Sequence, residues 1–314
     1  MNNMQSDRSS NDYDEIDLKE IFSCLFDGKW IIVSITTFTS IIGIIYSLSL
    51  PNIYESKALL APVNSYNSIP AAIRQYGGLA GLAGANLSTE SEDSNAGKAI
   101  AKLSSLSFFK EDFLPYINLP NLMALEKWDY KKNILIYDKS IYDQSSNLWV
   151  REYSYPLQQM PTPQESFYKF TKKHLSLSQD KDTGFITLSV KHQSPYIAKK
   201  WADLLVNQIN LFYREKDKIE SEKAIAYLNT KIITTNLSEV KQSISMLLQE
   251  EIQKLTLIEA NNFYVFEYID SPEVMERKSE PKRAIICIFS AILGGIIGII
   301  IVLVRFFSFK KKIS

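Results

Sequence analysis

Two uncharged apolar runs decide the fold of this chain: residues 30–50 read WIIVSITTFTSIIGIIYSLSL, and residues 284–304 read AIICIFSAILGGIIGIIIVLV. A helix rises 1.5 Å per residue, so either run spans about 30 Å, the thickness of the hydrocarbon core of a bilayer. No small-residue cleavage site follows the first run, which favours a retained anchor over a cleaved signal peptide. The sequence therefore predicts two transmembrane helices with one large block between them.

Basic residues beside the first run predict its orientation. Three of them precede it: Arg8, Lys19 and Lys29. On its far side only Lys57 is near. The second run has basic residues at both ends, but the first span usually dominates topology. We expect a cytoplasmic tail with an interfacial helix at 1–29, a short basic cytoplasmic tail at 305–314, and residues 51–283 outside the cytoplasmic membrane.

Composition and residue types predict no enzyme chemistry. Net charge is zero, and no basic stripe interleaved with aromatic residues indicates nucleic acid. Cys24 and Cys287 lie at the predicted membrane segments, so the block has no disulfide and no cysteine metal site. Neither His174 nor His192 has an acid or cysteine at metal-ligand spacing, and no nucleophile elbow occurs. We expect no catalytic residue, no metal and no cofactor.

The block between the runs is typical of a mixed helix and strand domain. Alternating or β-branched apolar residues predict strands at 53–63, 133–137, 183–192 and 263–269, and helical spacing predicts helices at 96–114 and 163–174. The glycine-rich stretch 64–95 resembles a nucleotide loop only in composition, because Gly97-Lys98 is followed by alanine. We interpret it as a flexible or small-residue packing segment. The predicted fold class is an α/β (α+β) extracytoplasmic domain flanked by two transmembrane helices.

The most unusual internal feature is the absence of Pro and Gly between Pro195 and Pro272. Ser194 supplies a helix N-cap before Pro195, and apolar residues then recur at helical spacing. The packing positions include Trp201, Leu205 and Leu228. A helix from 195 to about 260 would be on the order of 100 Å long. Its surplus length must meet another helix, most simply that of a second copy. The alternative is two or three shorter helices with a break near 234–236.

The second run carries small residues on one side. Gly294 and Gly298 form a Gly-x-x-x-Gly arrangement, and Gly295 lies one helical step round. Such faces let membrane helices approach closely, and we expect this one to pack against another copy. Ordinary membrane helices also contain glycine, so that reading stays open. A charged connector leads from the block into this run, and it holds Pro272, Ser279, Pro281, Lys282 and Arg283.

Short motifs are spread over most of the chain. They are Asp-Glu-Ile-Asp-Leu at 14–18, Gly28-Lys29-Trp30, Leu50-Pro51 with Tyr54-Glu55-Ser56, Thr183-Gly184 with Leu188-Ser189-Val190, Ser194-Pro195 with Trp201-Ala202, Ile209-Asn210 with Tyr213-Arg214, Ala224-Ile225 with Tyr227-Leu228, and Ser279-Glu280-Pro281-Lys282-Arg283. Together they resemble the Wzz-type polysaccharide co-polymerases, the chain-length determinants of lipopolysaccharide O-antigen. One departure concerns the family's proline-rich segment, where Met275 and its neighbours supply no further proline.

The resemblance implies a periplasmic α/β base with a membrane-proximal sheet, a long helix projecting from it, and homo-oligomeric rings. It implies a non-catalytic regulator of the bacterial inner membrane that sets the modal length of O-antigen. Its partners would be itself, a membrane O-antigen polymerase, lipid-linked polysaccharide and the bilayer, with no nucleic acid. Two other classes stay open. One is a membrane sensor or adaptor with a periplasmic ligand-binding domain, and the other is an enzyme acting on lipid-linked sugars through convergent acids.

Overall fold

The computed structural model describes residues 18–63, 95–261 and 263–313. Its helices are α1 (Leu18–Asp27), α2 (Lys29–Ser49), α3 (Asn95–Leu103), α4 (Leu119–Met123), α5 (Pro163–Lys173), α6 (Pro195–Thr234), α7 (Ser238–Ala260) and α8 (Arg283–Ile313). Its strands are β1 (Tyr54–Pro62), β2 (Leu125–Asp129), β3 (Ile134–Tyr137), β4 (Tyr142–Asp143), β5 (Leu148–Trp149), β6 (Leu175–Gln179), β7 (Ile186–His192) and β8 (Phe266–Asp270). Three short helical segments follow α3: Leu106–Phe108, Phe109–Phe113 and Leu114–Tyr116. Nearly all of the glycine-rich segment predicted at 64–95 lies outside the described residues.

The chain divides into two compact units. The membrane unit comprises Met1–Asn52 and Glu280–Ser314, and the soluble unit comprises Ile53–Ser279. In the membrane unit, α2 and the Arg283–Phe306 part of α8 are long and apolar enough to cross a bilayer, and they pack against each other. Both apolar runs of the sequence are therefore helices.

A four-stranded antiparallel sheet, in the order β6-β7-β1-β8, forms the framework of the soluble unit. The strands β1 and β7 pair from Tyr54 opposite His192 to Leu60 opposite Ile186. The strands expected at 53–63, 133–137, 183–192 and 263–269 are all present. Two further hairpins, β2–β3 and β4–β5, form separate two-stranded sheets.

The core of the soluble unit lies between this sheet and the first half of α6. Buried residues recur every three or four positions along the helix: Ala198, Trp201, Ala202, Leu205, Val206, Ile209 and Tyr213. This stripe packs on β1 and β7, since a helix with one apolar face is stable only when that face is covered. A group of aromatic rings closes the core beside α5, where Phe113 and Phe170 lie 4.7 Å apart between ring centroids.

The long helix does not run continuously from 195 to 260. Helix α6 ends at Thr234, residues 235–237 are not helical, and α7 begins at Ser238. Four consecutive β-branched residues, Ile232 to Thr235, lower the helix propensity there. The hydroxyl of Thr235 also donates to the carbonyl of Lys231, 2.8 Å away, in the last turn. The break that the sequence left open near 234–236 is therefore present, and the continuous helix is wrong.

After the break the chain forms a helical hairpin. Helix α7 packs on α6, and the Lys218 ammonium lies 3.0 Å from the Glu259 carboxylate near the end of α7. Because Glu259 contacts the middle of α6 and Ser238 lies close in sequence to its end, the two helices are antiparallel. At 1.5 Å per residue, α6 alone is about 60 Å long, and α7 covers much of its distal half.

Candidate functional site

The glycines of the second apolar run lie against the first membrane helix of the same chain. A Cβ atom added at Gly294 would lie 2.9 Å from the Thr36 Cα and would also meet the Thr39 hydroxyl, and one added at Gly298 would lie 3.0 Å from the Ile32 Cα. The close approach that this face permits is therefore made within one chain. We expected the face to pack against another copy, but it packs against α2 of the same chain.

Both helices of this pair contribute small polar residues. A Cβ at Gly43 of α2 would meet the Ser290 hydroxyl of α8. The hydroxyls of Thr36, Thr39 and Ser290 donate to carbonyls three or four residues earlier in their own helices. Their hydrogen-bonding capacity is thus satisfied without water, as hydrocarbon surroundings require. Small residues set the distance between these two helices.

Two neighbouring glycines give a matched test of this packing. Gly294→Ala is expected to destabilise the membrane unit by about 1–3 kcal/mol, because its Cβ meets backbone atoms that cannot rotate away. Gly295→Ala is the control, since its Cβ would lie 3.9 Å from the Thr36 hydroxyl. Thermal unfolding of the full-length protein in detergent measures both. Equal melting temperatures for the two variants would contradict the packing seen here.

The connector before α8 is fastened to the sheet by hydrogen bonds. The Ile53 carbonyl accepts from the backbone N–H of Ser279 at 2.8 Å and from its hydroxyl at 3.2 Å. The Ser56 hydroxyl donates to the Glu273 carbonyl at 2.8 Å. Pro272, where the connector leaves β8, is buried. The connector is thus hydrogen-bonded to β1 through Glu273 and to Ile53, the residue before β1, through Ser279.

The rest of the motif begins α8 in the membrane unit. The Lys282 carbonyl accepts from the backbone N–H groups of Ile285 and Ile286, at 2.9 and 3.3 Å. The Arg283 guanidinium donates to the Asn52 side chain at 3.2 Å. The backbone N–H of Arg283 donates to the Pro281 carbonyl at 2.9 Å. The hydrogen bond between Arg283 and Asn52 joins the start of α8 to the last residue of the first segment of the membrane unit.

The predicted packing positions of the long helix fall into two groups. Trp201 and Leu205 are fully buried in the core of the soluble unit, whereas Leu228 is only half-buried in the distal hairpin. The Trp201 ring lies 4.9 Å from the His192 ring and 5.6 Å from the His174 ring, between centroids. The structure therefore separates Leu228 from the other two.

Sequence reasoning missed Asn210 as a packing residue. Its side-chain oxygen accepts from three consecutive backbone N–H groups, those of Tyr264 (3.2 Å), Val265 (2.8 Å) and Phe266 (2.9 Å), and its amide donates to the Phe266 carbonyl at 2.9 Å. Asn210 is buried, and it ties α6 to the start of β8. The sequence did contain a signal for this role. Asn210 follows Ala202 and Val206 at spacings of four residues, so it lies on the same buried face of the helix.

The two histidines also come together. His174 ends α5 and His192 ends β7, and their ring centroids lie 5.8 Å apart. Burial lowers the pKa of His174 to about 4 and that of His192 to about 3. Both imidazoles are therefore neutral at physiological pH. No group of three or more metal-ligating side chains occurs within the described residues, and the rings make structural hydrogen bonds.

Two family models match the chain. The Wzz model, described as "Chain length determinant protein", matches residues 14–105. The GNVR model, described as "G-rich domain on putative tyrosine kinase", matches residues 235–307. None of the curated protein sequences compared with the chain matches it significantly.

Two solved structures are similar to this chain. A "full-length bacterial polysaccharide co-polymerase" is 13% identical, with 92% of this chain and 97% of that chain covered and a TM-score of 0.40. A "Fragment of WzzB, Polysaccharide Co-polymerase from Salmonella Typhimurium" is 14% identical, with 73% of this chain and 100% of that chain covered and a TM-score of 0.28.

The family matches fall on both ends of the structure. The Wzz match includes the first membrane helix, α2, and the first strand of the sheet, β1. The GNVR match includes α7, β8, the connector and most of α8. Residues 14–105 are therefore similar to the chain length determinant family, and residues 235–307 to the G-rich domain family.

Proposed function

We propose that this protein is a non-catalytic regulator that sets the modal length of O-antigen made by a membrane polymerase. The observation that carries the proposal is the match of residues 14–105 to the chain length determinant domain, together with two apolar helices that fit transmembrane segments. Its partners would be other copies of itself, the polymerase and lipid-linked polysaccharide.

Exposed apolar side chains on the helical hairpin support association between copies. Ile233 is 81% exposed, Leu237 69% and Met246 62%. In a ring of copies joined through the hairpins, these side chains would be covered by the neighbouring copy. A ring of copies would use binding and geometry, without bond chemistry, to make the probability of chain termination depend on length.

Deleting the protein tests the proposed function. A polymerase acting alone has a roughly fixed chance of stopping at each step, which gives no preferred length. We expect deletion to leave O-antigen synthesis running while a banded distribution with a preferred long length collapses to short chains of steadily declining abundance. Gel electrophoresis of lipopolysaccharide from the deletion strain, with and without the restored gene, measures this. Loss of all polymer would instead indicate an enzyme, and an unchanged distribution would exclude length control.

The orientation of the membrane unit is part of the proposal. We place both termini in the cytoplasm and the soluble unit in the periplasm, from the basic residues before the first span. Alkaline phosphatase fused at Asp138 is expected to be active, because the enzyme folds only in the periplasm, and fused after Lys312 it is expected to be inactive. The reverse pattern would invert the orientation.

A further inference from the structure

The soluble unit begins and ends at one point of its sheet. The Ile53 carbonyl accepts two hydrogen bonds from Ser279. Ile53 follows Ser49, the last residue of α2, by four positions, and Ser279 precedes Arg283, the first residue of α8, by four positions. An extended chain spans at most about 3.3–3.6 Å per residue. Only short connectors therefore join this point of the sheet to each of the two apolar helices.

Three aromatic rings in successive contact, those of Tyr54, Trp128 and Tyr196, begin beside this point, and we call them the aromatic ladder. The Tyr54 ring, next to Ile53, packs edge-to-face on Trp128 of β2 with centroids 5.5 Å apart, and Trp128 packs on Tyr196 of α6 at 6.4 Å. The Trp128 indole N–H donates to the Asn133 side chain at 2.9 Å, across the turn of the β2–β3 hairpin. The ladder thus fixes this hairpin and the first turn of α6 beside the origin of β1.

The hairpin turn and the first turns of α6 carry a set of exposed side chains that we call the aromatic–lysine surface: Tyr130, Lys131, Lys132, Tyr196 and Lys200. Tyr130 is 68% exposed and Tyr196 is 53% exposed. The Asp129 carboxylate accepts from the backbone N–H groups of Lys131 at 2.9 Å and Lys132 at 3.4 Å, which holds the turn in shape. Among the described residues, these three lysines form no ion pair.

We propose that the aromatic–lysine surface docks on the phospholipid headgroups of the membrane that the two spans cross. Tyrosine has an apolar ring with a polar hydroxyl and is enriched at the headgroup level of bilayers. Lysine ammonium groups attract lipid phosphates, at about 1 kcal/mol each near an anionic surface. A surface that combines both side chains, held by short connectors near the membrane, matches a lipid surface in chemistry and in position. Docking there would hold the base of the soluble unit against the bilayer.

The proposal goes beyond length control and is tested without a polymerase. The full-length protein with Cys24→Ser and Cys287→Ser carries a fluorophore on Lys131→Cys and is reconstituted in vesicles of phosphatidylethanolamine and phosphatidylglycerol. A nitroxide on the lipid headgroup is expected to quench this fluorophore several-fold more than a fluorophore on Lys181→Cys. A fluorophore on Leu50→Cys, at the end of the first span, verifies insertion.

Lys181 is a matched control because its turn is built in the same way. The Asp180 carboxylate accepts from the backbone N–H groups of Asp182 and Thr183, both at 2.9 Å. This turn joins β6 to β7 at the Ile186 end of β7, whereas Tyr54 pairs with the His192 end. Equal quenching at positions 131 and 181 would overturn the proposal. Shielding of position 131 from both lipid nitroxide and aqueous iodide would also overturn it, because a second copy would then be the occupant.

A second variant tests whether these side chains cause the docking. Tyr130→Ser combined with Lys132→Glu removes the most exposed ring and reverses one charge on a solvent-exposed turn. We expect this pair to reduce lipid quenching at position 131 several-fold, whereas Lys181→Glu leaves it unchanged. Undiminished quenching in the pair would overturn the assignment to this surface.

Discussion

Acidification from pH 7 to pH 5 is expected to destabilise the soluble unit by on the order of 3–4 kcal/mol through its two buried histidines. The His192 imidazole accepts from the Ser194 backbone N–H at 3.0 Å, and its other nitrogen lies 3.2 Å from the Asn121 carbonyl. A neutral ring satisfies both contacts. A protonated ring would point a second N–H at the Ser194 N–H, at the start of α6. The Nδ1 atom of His174 lies 2.7 Å from the Lys191 carbonyl oxygen.

The direction of this effect follows from the folded-state pKa values. Burial lowers the pKa of His174 to about 4 and that of His192 to about 3, whereas an unfolded histidine has a pKa near 6.5. Below pH 6.5 the unfolded chain binds more protons than the folded chain. Stability is therefore complete above about pH 7 and is lost as pH falls toward 4 and 3. Each histidine contributes about 1.4 kcal/mol per pH unit within this window.

The carboxyl groups with shifted pKa values do not destabilise the soluble unit in the same window. Hydrogen bonds from neighbouring serines lower the pKa values of Asp138 and Asp143, so their contribution is lost only at more acidic pH. Burial raises the pKa values of Asp112 and Asp203, which gives an effect of the opposite sign. The chain has only two histidines. A fall in stability between pH 6.5 and 5 therefore reports on this pair.

Melting temperatures of the full-length protein in detergent, taken at half-unit steps of pH, measure the effect. His192→Asn is the test variant, because its side-chain oxygen can still accept from Ser194 but cannot titrate. It is expected to be less stable at pH 7 and to lose about half of the pH dependence. An identical pH profile in this variant, or a flat profile in the parent, would show that the histidines do not govern acid stability.

The sequence was sufficient to predict the elements that depend on local patterns. Runs 30–50 and 284–304 are helices long and apolar enough to cross a membrane. The strands predicted at 53–63, 133–137, 183–192 and 263–269 are present, whereas β2, β4, β5 and β6 were not predicted. The glycine face of α8 was visible as well, but a pattern on one helix does not name its partner. Gly294 faces Thr36 of the same chain, and that choice depends on how α2 and α8 align.

Contacts between distant segments were beyond the reach of the sequence. The end of α6 lacks Gly and Pro, and its β-branched residues only weaken a helix. The sequence therefore left the break near 234–236 as an alternative, and the packing of α7 back on α6 decides it. His174 and His192 ended two different elements, and their adjacency depends on the register of β6 on β7, in which Leu175 pairs with Val190. The contact between the two histidines is therefore evident only from the folded structure.

Replacing Asn210 by leucine is expected to destabilise the soluble unit by roughly 3–6 kcal/mol. Leucine has a similar volume but leaves the backbone N–H groups that bonded to Asn210, and the Phe266 carbonyl, without that partner. Each buried polar group left unsatisfied costs about 1–3 kcal/mol. These groups lie at the start of β8, so the strand should detach from α6, and the connector beyond Asp270 should become more sensitive to protease.

Asn207→Leu is the matched control for this change. Asn207 lies one turn earlier on α6 and is exposed, so the same substitution there should change stability by only about 0.5 kcal/mol. Asn210→Asp should fall between the two, because its carboxylate still accepts from Tyr264, Val265 and Phe266 but faces the Phe266 carbonyl without a proton to donate. Thermal unfolding and limited proteolysis of the full-length protein measure all three. If Asn210→Leu melted at the same temperature as Asn207→Leu, the anchoring of β8 by Asn210 would be refuted.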